Sequence, residues 1–297
     1  MLNYRAVADS VEKILHAKAE GTASAPERLH ASLANGGVLL LMPATDERLT
    51  VTKLVTVHPQ NAAFGRPSVR GDVVVIDTRT GERLAMLDGA TVTAVRTAAV
   101  SAVAARWLAP DPSGEMLLFG AGVQAKAHLE AFAEIHGTRC VHICSQSSTR
   151  AESLCEYGRS LGMRVDVVEN AREVLPQVRL IIAATTSRTP VVAEEVVSGT
   201  FVVAVGAYTA ELSPKLVRRA TNPDSILVVD TFEGARHEAG DLIQANVDWD
   251  RVRSLESVQY GRSQAADVAV FKSVGHALWD LAAARVAIDA LGMLGES

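Results

Sequence analysis

The pattern of apolar and polar residues divides the chain into two regions. Between residues 28 and 89, short apolar runs, several of them alternating with polar residues, predict β-strands, and residues 77–81 supply a turn between the last two. A run rich in alanine and valine predicts a helix from about Thr93 to Leu108. The segment APDPSG (109–114) follows, and its prolines and glycine indicate a boundary between the two regions.

Beyond this boundary, apolar runs alternate with helical segments. Segments such as MLLF, CVHIC, RLIIAAT, TFVVAV and SILVVD are typical of buried strands, and VQAKAHLEAFAEIH and TRAESLCEYGRSL predict helices between them. This alternation indicates an α/β fold with a parallel sheet covered by helices on both faces. The apolar segment KSVGHALWDLAAARVAIDAL, near the C-terminus, predicts a helix that must pack onto a domain.

A glycine-rich loop joins the first of these strands to its helix. Gly120, Gly122 and Ala125 form a G-x-G-x-x-A pattern, in which the first glycine allows a tight turn and the second allows the backbone to approach a pyrophosphate. The free N–H groups of the following helix would then bind that pyrophosphate. The pattern predicts a Rossmann dinucleotide site that includes Ala121, Val123 and Gln124; a glycine turn without a ligand is the alternative.

The end of the second strand of this region distinguishes between two dinucleotides. An acidic residue there would bind the ribose 2′-hydroxyl of NAD, but this chain has Ser145, Ser147 and Arg150 in the segment SQSSTR. Hydroxyl groups and a guanidinium suit a 2′-phosphate, so we expect NADPH as the cofactor, with NADH as an alternative donor. The serines also suit a helix N-cap, and the two interpretations are compatible.

Further candidate residues lie where strands end or where cations interrupt apolar segments. Because ligands of α/β sheets lie beyond the carboxyl ends of the strands, we expect Thr185, Thr186 and Gly206 near the cofactor. Asp230 ends an apolar strand and is either a site residue or a helix N-cap. Three basic residues in or beside apolar segments need anionic partners, either a substrate carboxylate or a structural ion pair. They are Arg28, Lys53 and Arg96.

Composition adds few further constraints. With 297 residues, 48% of them hydrophobic and 21% charged, and a net charge of −5, the chain is typical of globular proteins, and nothing suggests nucleic acid or a membrane as a partner. The N-terminus has an amphipathic helix pattern rather than that of a secretory signal. Cys140, Cys144 and Cys155 match the spacing of no metal site or disulfide framework, so we expect buried free thiols, no metal and a cytoplasmic location.

Several motifs resemble the ornithine cyclodeaminase/μ-crystallin family. They occur in the family's order from about Arg28 to Ala284 and include LLMPA, TVTKLV, DTRTGERLAMLDG, TAVRTAAVSAVAARWLA, FGAGVQAKAHLEA, VVDTFEGARHEAGDL and FKSVGHALWDLAAA. The resemblance implies an α+β substrate-binding and dimerisation domain (1–112), a Rossmann domain (113–274), and a C-terminal helix (275–297) that returns to the first domain. It also implies a homodimer.

The resemblance also assigns roles to the candidate residues. It implies that Arg28, Lys53 and Arg96 bind a substrate carboxylate and that Asp230 is catalytic; we expect Lys53 to be catalytic as well. The family includes ornithine cyclodeaminases that recycle NAD, reductases of imines or 2-oxo acids, and binding proteins. Because SQSSTR favours NADPH and hence net reduction, we expect a reductase of Δ1-pyrroline-2-carboxylate or Δ1-piperideine-2-carboxylate. Ornithine cyclodeaminase and an NADPH-dependent binding protein remain the alternatives.

Overall fold

The computed structural model describes residues 2–208, 210–258 and 266–293, and the chain forms two compact units. The first unit contains residues 1–96 and 276–297, and the second contains residues 97–275. The division falls inside one long helix, whereas the sequence placed a boundary after that helix, at residue 112. The functional domain boundaries stay a prediction.

The first unit is built on an antiparallel sheet of five strands in chain order. Its strands are β1 (Leu29–Ser32), β2 (Val38–Thr45), β3 (Leu49–Val57), β4 (Val69–Asp77) and β5 (Arg83–Asp88), preceded by α1 (Tyr4–Ala19) and followed by α2 (Gly89–Leu108). The C-terminal helix α8 (Ala277–Ala290) packs against β2, β3 and β5, and α1 packs against α8. The C-terminal helix is thus part of the first unit.

Strand β3 shows why a lysine can stand in an apolar strand. Leu49, Val51, Lys53 and Val55 alternate with Thr50, Thr52 and Leu54, and the first set is buried. Side chains of a strand point alternately to its two faces, so Lys53 lies on the face that packs inward. Its position is stabilised by a buried partner, described below.

The second unit contains an eight-stranded parallel sheet with strand order β12-β11-β13-β10-β9-β6-β7-β8. The strands are β6 (Met116–Phe119), β7 (Cys140–Cys144), β8 (Arg164–Val167), β9 (Leu180–Ala183), β10 (Thr200–Ala204), β11 (Ile226–Val229), β12 (Val252–Ser254) and β13 (Val268–Lys272). The helices are α3 (Val123–Ile135), α4 (Ser148–Ser160), α5 (Pro214–Ala220), α6 (Phe232–Glu238) and α7 (Gly240–Gln244). Six adjacent strands, β8-β7-β6-β9-β10-β13, follow the Rossmann order 3-2-1-4-5-6.

The predicted α/β fold class is confirmed. Every residue of β6, β9, β10 and β13 is buried, as expected for parallel strands covered on both faces. One prediction was wrong in detail, because Lys272 ends a strand and the C-terminal helix begins only at Ala277. Strand β13 is short and apolar, and the apolar helix follows it after four residues, so periodicity does not separate the two. Within the described part of the chain, no helix has both the length and the apolar character needed to cross a membrane.

Candidate active site

A cavity of about 550 Å³ lies at the carboxyl ends of the strands of the second unit. It spans the point where the strand order reverses, between β6 and β9, which is where ligands bind in open α/β sheets. Its lining includes most of the predicted cofactor residues: Gly120, Ala121, Gly122, Ser145, Ser147, Arg150, Thr185 and Thr186. Val123, Gln124 and Gly206 were also predicted, and they lie outside this lining.

The glycine loop has the geometry that a pyrophosphate needs. Gly120 has a φ of +102°, and a Cβ built on it would lie 2.3 Å from the carbonyl oxygen of Ala184, so no other residue fits there. A Cβ on Gly122 would meet nothing within 4 Å and would instead occupy the open space beside the loop. Gly122 is also the N-cap of α3 and offers no side chain to its first N–H groups. These groups remain suited to an anion, so the loop fits a dinucleotide.

The polar end of the cavity carries both signs of charge. Ser147 is the N-cap of α4, since its Oγ accepts a hydrogen bond from the Arg150 N–H at 3.4 Å, and its own N–H donates to Ser145 Oγ at 3.4 Å. The capping role considered from the sequence is therefore present. Arg150 is exposed and lines the cavity, and so does the exposed Glu169, which sequence reasoning missed. Glu169 follows β8, whereas the residues expected to contact the ribose follow β7. The sequence pattern at the end of β7 therefore could not identify Glu169.

Beside this cavity lies a buried group of charges that we call the carboxylate network, formed by Glu211, Asp241 and Lys272. Glu211 accepts hydrogen bonds from the Thr185 N–H (2.7 Å) and Oγ1 (3.0 Å), and from the Gly206 N–H (2.6 Å). Lys272 donates to the Gly206 carbonyl and to Asp241 Oδ2 (2.9 Å). The network therefore fixes both the N–H and the carbonyl group of Gly206 and ties this residue to Thr185. Burial raises the pKa of Glu211, while Lys272 and the hydrogen bonds oppose that shift.

Asp230 lies at the end of β11 and is buried. Its Oδ2 accepts hydrogen bonds from Ser273 Oγ (2.8 Å), the Val274 N–H (3.1 Å) and the Gly275 N–H (2.8 Å). Its Oδ1 accepts one from the Thr231 N–H at 3.0 Å. The helix N-cap considered for Asp230 is instead Thr231, which caps α6. These four hydrogen bonds fix the orientation of the carboxyl group.

Two basic residues of the first unit contact one aspartate. Lys53 Nζ lies 3.0 Å from Oδ1 and 2.9 Å from Oδ2 of Asp280, and Arg96 Nε lies 3.2 Å from Asp280 Oδ1. All three side chains are buried, and Arg28 is close enough to act electrostatically on Lys53. We call Lys53, Arg96 and Asp280 the cationic centre. The structure thus brings together the three predicted basic residues.

Asp280 lies on α8 and was missed by sequence reasoning. It is separated from Lys53 by 227 positions, and within its own apolar helix segment nothing marks it as a site residue. Burial lowers the pKa of Lys53 to about 8; Asp280 opposes this shift, and the positive charges of Arg96 and Arg28 add to it. A pKa close to neutrality suits an amine that donates a proton during a reaction.

A further cluster, in the second unit, has side chains of the kinds that can bind a metal, although no metal site was predicted. Among the described residues, Glu115, Cys140 and His142 place potential ligand atoms within 4.8 Å of one another. Arg164 Nη2 donates to Glu115 Oε1 (2.9 Å) and to Cys140 Sγ (3.0 Å), so a guanidinium already provides positive charge there. Cys140, Cys144 and Cys155 are free thiols, as predicted, but only Cys155 is buried.

Comparison with known proteins gives consistent results. The model of the ornithine cyclodeaminase/mu-crystallin family matches residues 1–292. A Δ1-pyrroline-2-carboxylate reductase of Burkholderia multivorans is 41% identical over 98% of this chain and 93% of its own length. A Δ1-pyrroline-2-carboxylate/Δ1-piperideine-2-carboxylate reductase of Azospirillum brasilense is also 41% identical, with the same coverage.

Among solved structures, the Δ1-pyrroline-2-carboxylate reductase of Thermococcus litoralis in complex with NADH and L-proline superposes with a TM-score of 0.88. It is 31% identical to this chain, and the match covers 97% of this chain and 93% of the other. The family match, which extends over nearly the whole sequence, decides the classification. The chain belongs to the ornithine cyclodeaminase/mu-crystallin family.

Proposed function

We propose that the protein is an NADPH-dependent reductase that converts a small cyclic imino acid, Δ1-pyrroline-2-carboxylate or Δ1-piperideine-2-carboxylate, to L-proline or L-pipecolate. The observation that carries the proposal is the cationic centre, in which two buried cations share the single carboxylate of Asp280. Buried charges need partners, and a substrate carboxylate would supply the missing negative charge. The relatives whose names specify these two imines support this choice of substrate.

The proposed cofactor is held by the cavity of the second unit. Gly120, Gly122 and the N-terminus of α3 would bind the pyrophosphate, and Ser145, Ser147 and Arg150 would bind the 2′-phosphate of NADPH. Glu169 is a competing negative charge in the same lining. The solved relative contains NADH, so the ratio of activities with the two cofactors is the decisive measurement of this part.

The first unit would supply binding and a proton. Arg28, Lys53 and Arg96 bind the substrate carboxylate, which fixes the orientation of the imine. The Lys53 ammonium donates one hydrogen bond to Asp280, at Oδ1, so two of its three N–H groups remain for the substrate. One binds the carboxylate, and the other donates its proton to the imine nitrogen, which makes the C=N carbon a better acceptor. The reduced nicotinamide, when bound, supplies the hydride to that carbon.

Asp230 keeps a proposed catalytic role. Its oxygens accept four hydrogen bonds, which hold the carboxyl group in a fixed orientation. A fixed carboxylate can stabilise the positive charge that the iminium acquires, at no cost in reorganisation.

The outer face of the antiparallel sheet favours a homodimer. Leu54 and Met86 point away from α8 on this face and are 43% and 66% exposed, respectively. We propose that a second copy of the chain covers these exposed apolar side chains. Free thiols without disulfides suit the reducing cytoplasm, where we place the enzyme.

An absorbance assay tests the proposed activity. The protein is incubated with NADPH and either imine, and oxidation of the reduced nicotinamide is followed together with chiral analysis of the product. We expect turnover with at least one ring size, and the kcat/KM values of the five- and six-membered imines give the preference. Release of ammonia from ornithine with catalytic NAD, without turnover of either imine, would instead identify a cyclodeaminase. Tight NADPH binding without any turnover would identify a binding protein.

A further inference from the structure

Asp280 occupies the middle of the cationic centre, yet no step of the proposed reaction uses it. Its side chain is fully buried, and it contacts Lys53 through both oxygens and Arg96 through Oδ1. The contact with Arg96 is made through Nε, so it does not use the Nη1–Nη2 edge, with which a guanidinium binds a carboxylate in a fork. Asp280 therefore holds both cations by only part of their hydrogen-bonding capacity.

The charges around Asp280 do not balance. Within the cationic centre, Lys53 and Arg96 contribute two buried positive charges and Asp280 contributes one negative charge. Without Asp280 these cations would repel one another, and Lys53 would lose the group that favours its protonated form. With Asp280 the cluster still lacks negative charge, which an anionic ligand can supply.

We infer that Asp280 is a positioning residue that orients the Lys53 ammonium and the Arg96 guanidinium toward a single substrate carboxylate and keeps Lys53 protonated. The inference rests on the proposed function for its substrate. Lys53, Arg96 and Asp280 all belong to the first unit, so the contacts that support the inference lie within that unit. A purely structural role is the competing explanation, since Asp280 also ties α8 to β3.

A matched pair of variants separates these explanations. Asp280→Asn keeps the shape of the side chain and removes its charge. The control is Asp46→Asn, because Asp46 also ties α8 to the sheet: its Oδ2 accepts from Arg285 Nε at 2.6 Å. Asp46 is buried and lies at the turn between β2 and β3, outside the cationic centre. Asp280→Asn loses the ion pairs with Lys53 and Arg96, and Asp46→Asn loses the one with Arg285, so melting temperatures serve to check that both variants are folded.

The kinetic result should differ between the two variants. Asp280→Asn is expected to lower kcat for the imine about 100-fold, within the range for loss of a positioned proton donor, with KM changed less than about threefold. KM is maintained because the positive charge that attracts the carboxylate remains. Asp46→Asn should keep both constants within about threefold of the wild type, and Asp280→Glu should recover part of the lost kcat. Equal effects of the two asparagine variants, or an unchanged kcat in Asp280→Asn, would overturn the inference.

A second readout does not require turnover. The rate at which an amine reagent labels Lys53, measured by mass spectrometry as a function of pH, gives the midpoint of its titration. The charged groups that act on Lys53 are Asp280 on α8, Arg96 on α2 and Arg28 before β1. Asp280 is the negative one among these described groups, and its removal should lower the midpoint by about one unit, equivalent to tenfold more free amine at a given pH below it. Asp46→Asn should leave the midpoint in place.

The labelling experiment also keeps the two proposals separate. If the wild-type protein turns over no imine but the midpoint falls in Asp280→Asn, the proposed function is wrong and the electrostatic role of Asp280 stands. If the wild type is active and the midpoint does not move, the proposed function stands and the inference about Asp280 is wrong.

Discussion

The two units each contain a buried group of charges, and the two groups are built in opposite ways. In the cationic centre, Lys53 and Arg96 share one carboxylate. In the carboxylate network, a single cation, Lys272, lies among two carboxylates, Glu211 and Asp241. The first group is short of negative charge. The second has an excess of it, which backbone N–H groups satisfy.

This difference indicates different functions. The carboxylates of the network accept hydrogen bonds from Thr185, Gly206 and Leu242, so the network is complete without a ligand and fixes the ends of strands. The cationic centre is complete only when an anion is added. Removal of a cation should therefore affect mainly catalysis in the first group and mainly stability in the second.

The largest expected effect is on the rate. Lys53→Met should lower kcat/KM for the imine by roughly 10³- to 10⁴-fold, because it removes both a carboxylate ligand and the proposed proton donor. Affinity for the cofactor, measured by fluorescence titration, should be nearly unchanged. The control is Lys13→Met, an exposed lysine on α1. Substantial activity in Lys53→Met would remove the catalytic role of this lysine.

The next largest effect is on stability, where we expect Lys272 to matter more than Lys53. Lys272→Met leaves Asp241 and Glu211 buried without their cation, which should cost about 3–5 kcal/mol in the free energy of unfolding. Lys53→Met leaves Asp280 paired with Arg96, so it should cost clearly less. Urea denaturation of both variants measures the difference. Lys215→Met, which breaks an exposed pair with Glu194, serves as the control for loss of a surface lysine. A greater loss in Lys53→Met than in Lys272→Met would contradict the comparison.

The pH dependence follows from the same lysine. Burial lowers the pKa of Lys53 to about 8, and its protonated form is the proposed proton donor. As the pH rises through about 8, this form disappears, so kcat/KM should fall about tenfold per pH unit above that value. Below it, Lys53 should contribute no further change. A pH–rate profile that stays level to pH 10 would exclude Lys53 as the donor.

The sequence predicted the features that depend on neighbouring residues. Strands β2 to β7 and β9 to β11 were found because their apolar patterns are local, and the Gly120–Gly122 loop because it lies directly between a strand and a helix. The position of Lys53 within an apolar strand was also visible, since a buried lysine needs a partner.

What was missed depends on contacts between distant segments. Asp280 becomes a site residue only when α8 packs against β3, and Glu211 reads as an ordinary loop residue until the fold buries it beneath Thr185 and Gly206. The hydrogen bonds that residues 273–275 donate to Asp230 also join segments that are distant in the sequence. The hydrogen-bond donors of each of these carboxylates come from segments whose spatial proximity cannot be predicted from the sequence pattern.

The smallest expected effect concerns the cofactor, where both signs of charge line one cavity. Arg150 is exposed, so Arg150→Ala should lower kcat/KM with NADPH only about tenfold, the low end for a charge-assisted hydrogen bond, and should leave the value with NADH nearly unchanged. Glu169→Gln is the matched control, because it removes the opposite charge from the same lining and should keep or increase the preference for NADPH. Equal losses with both cofactors in Arg150→Ala would show that the guanidinium does not read the 2′-phosphate. A switch toward NADPH in Glu169→Gln alone would identify Glu169 as the residue that sets the cofactor.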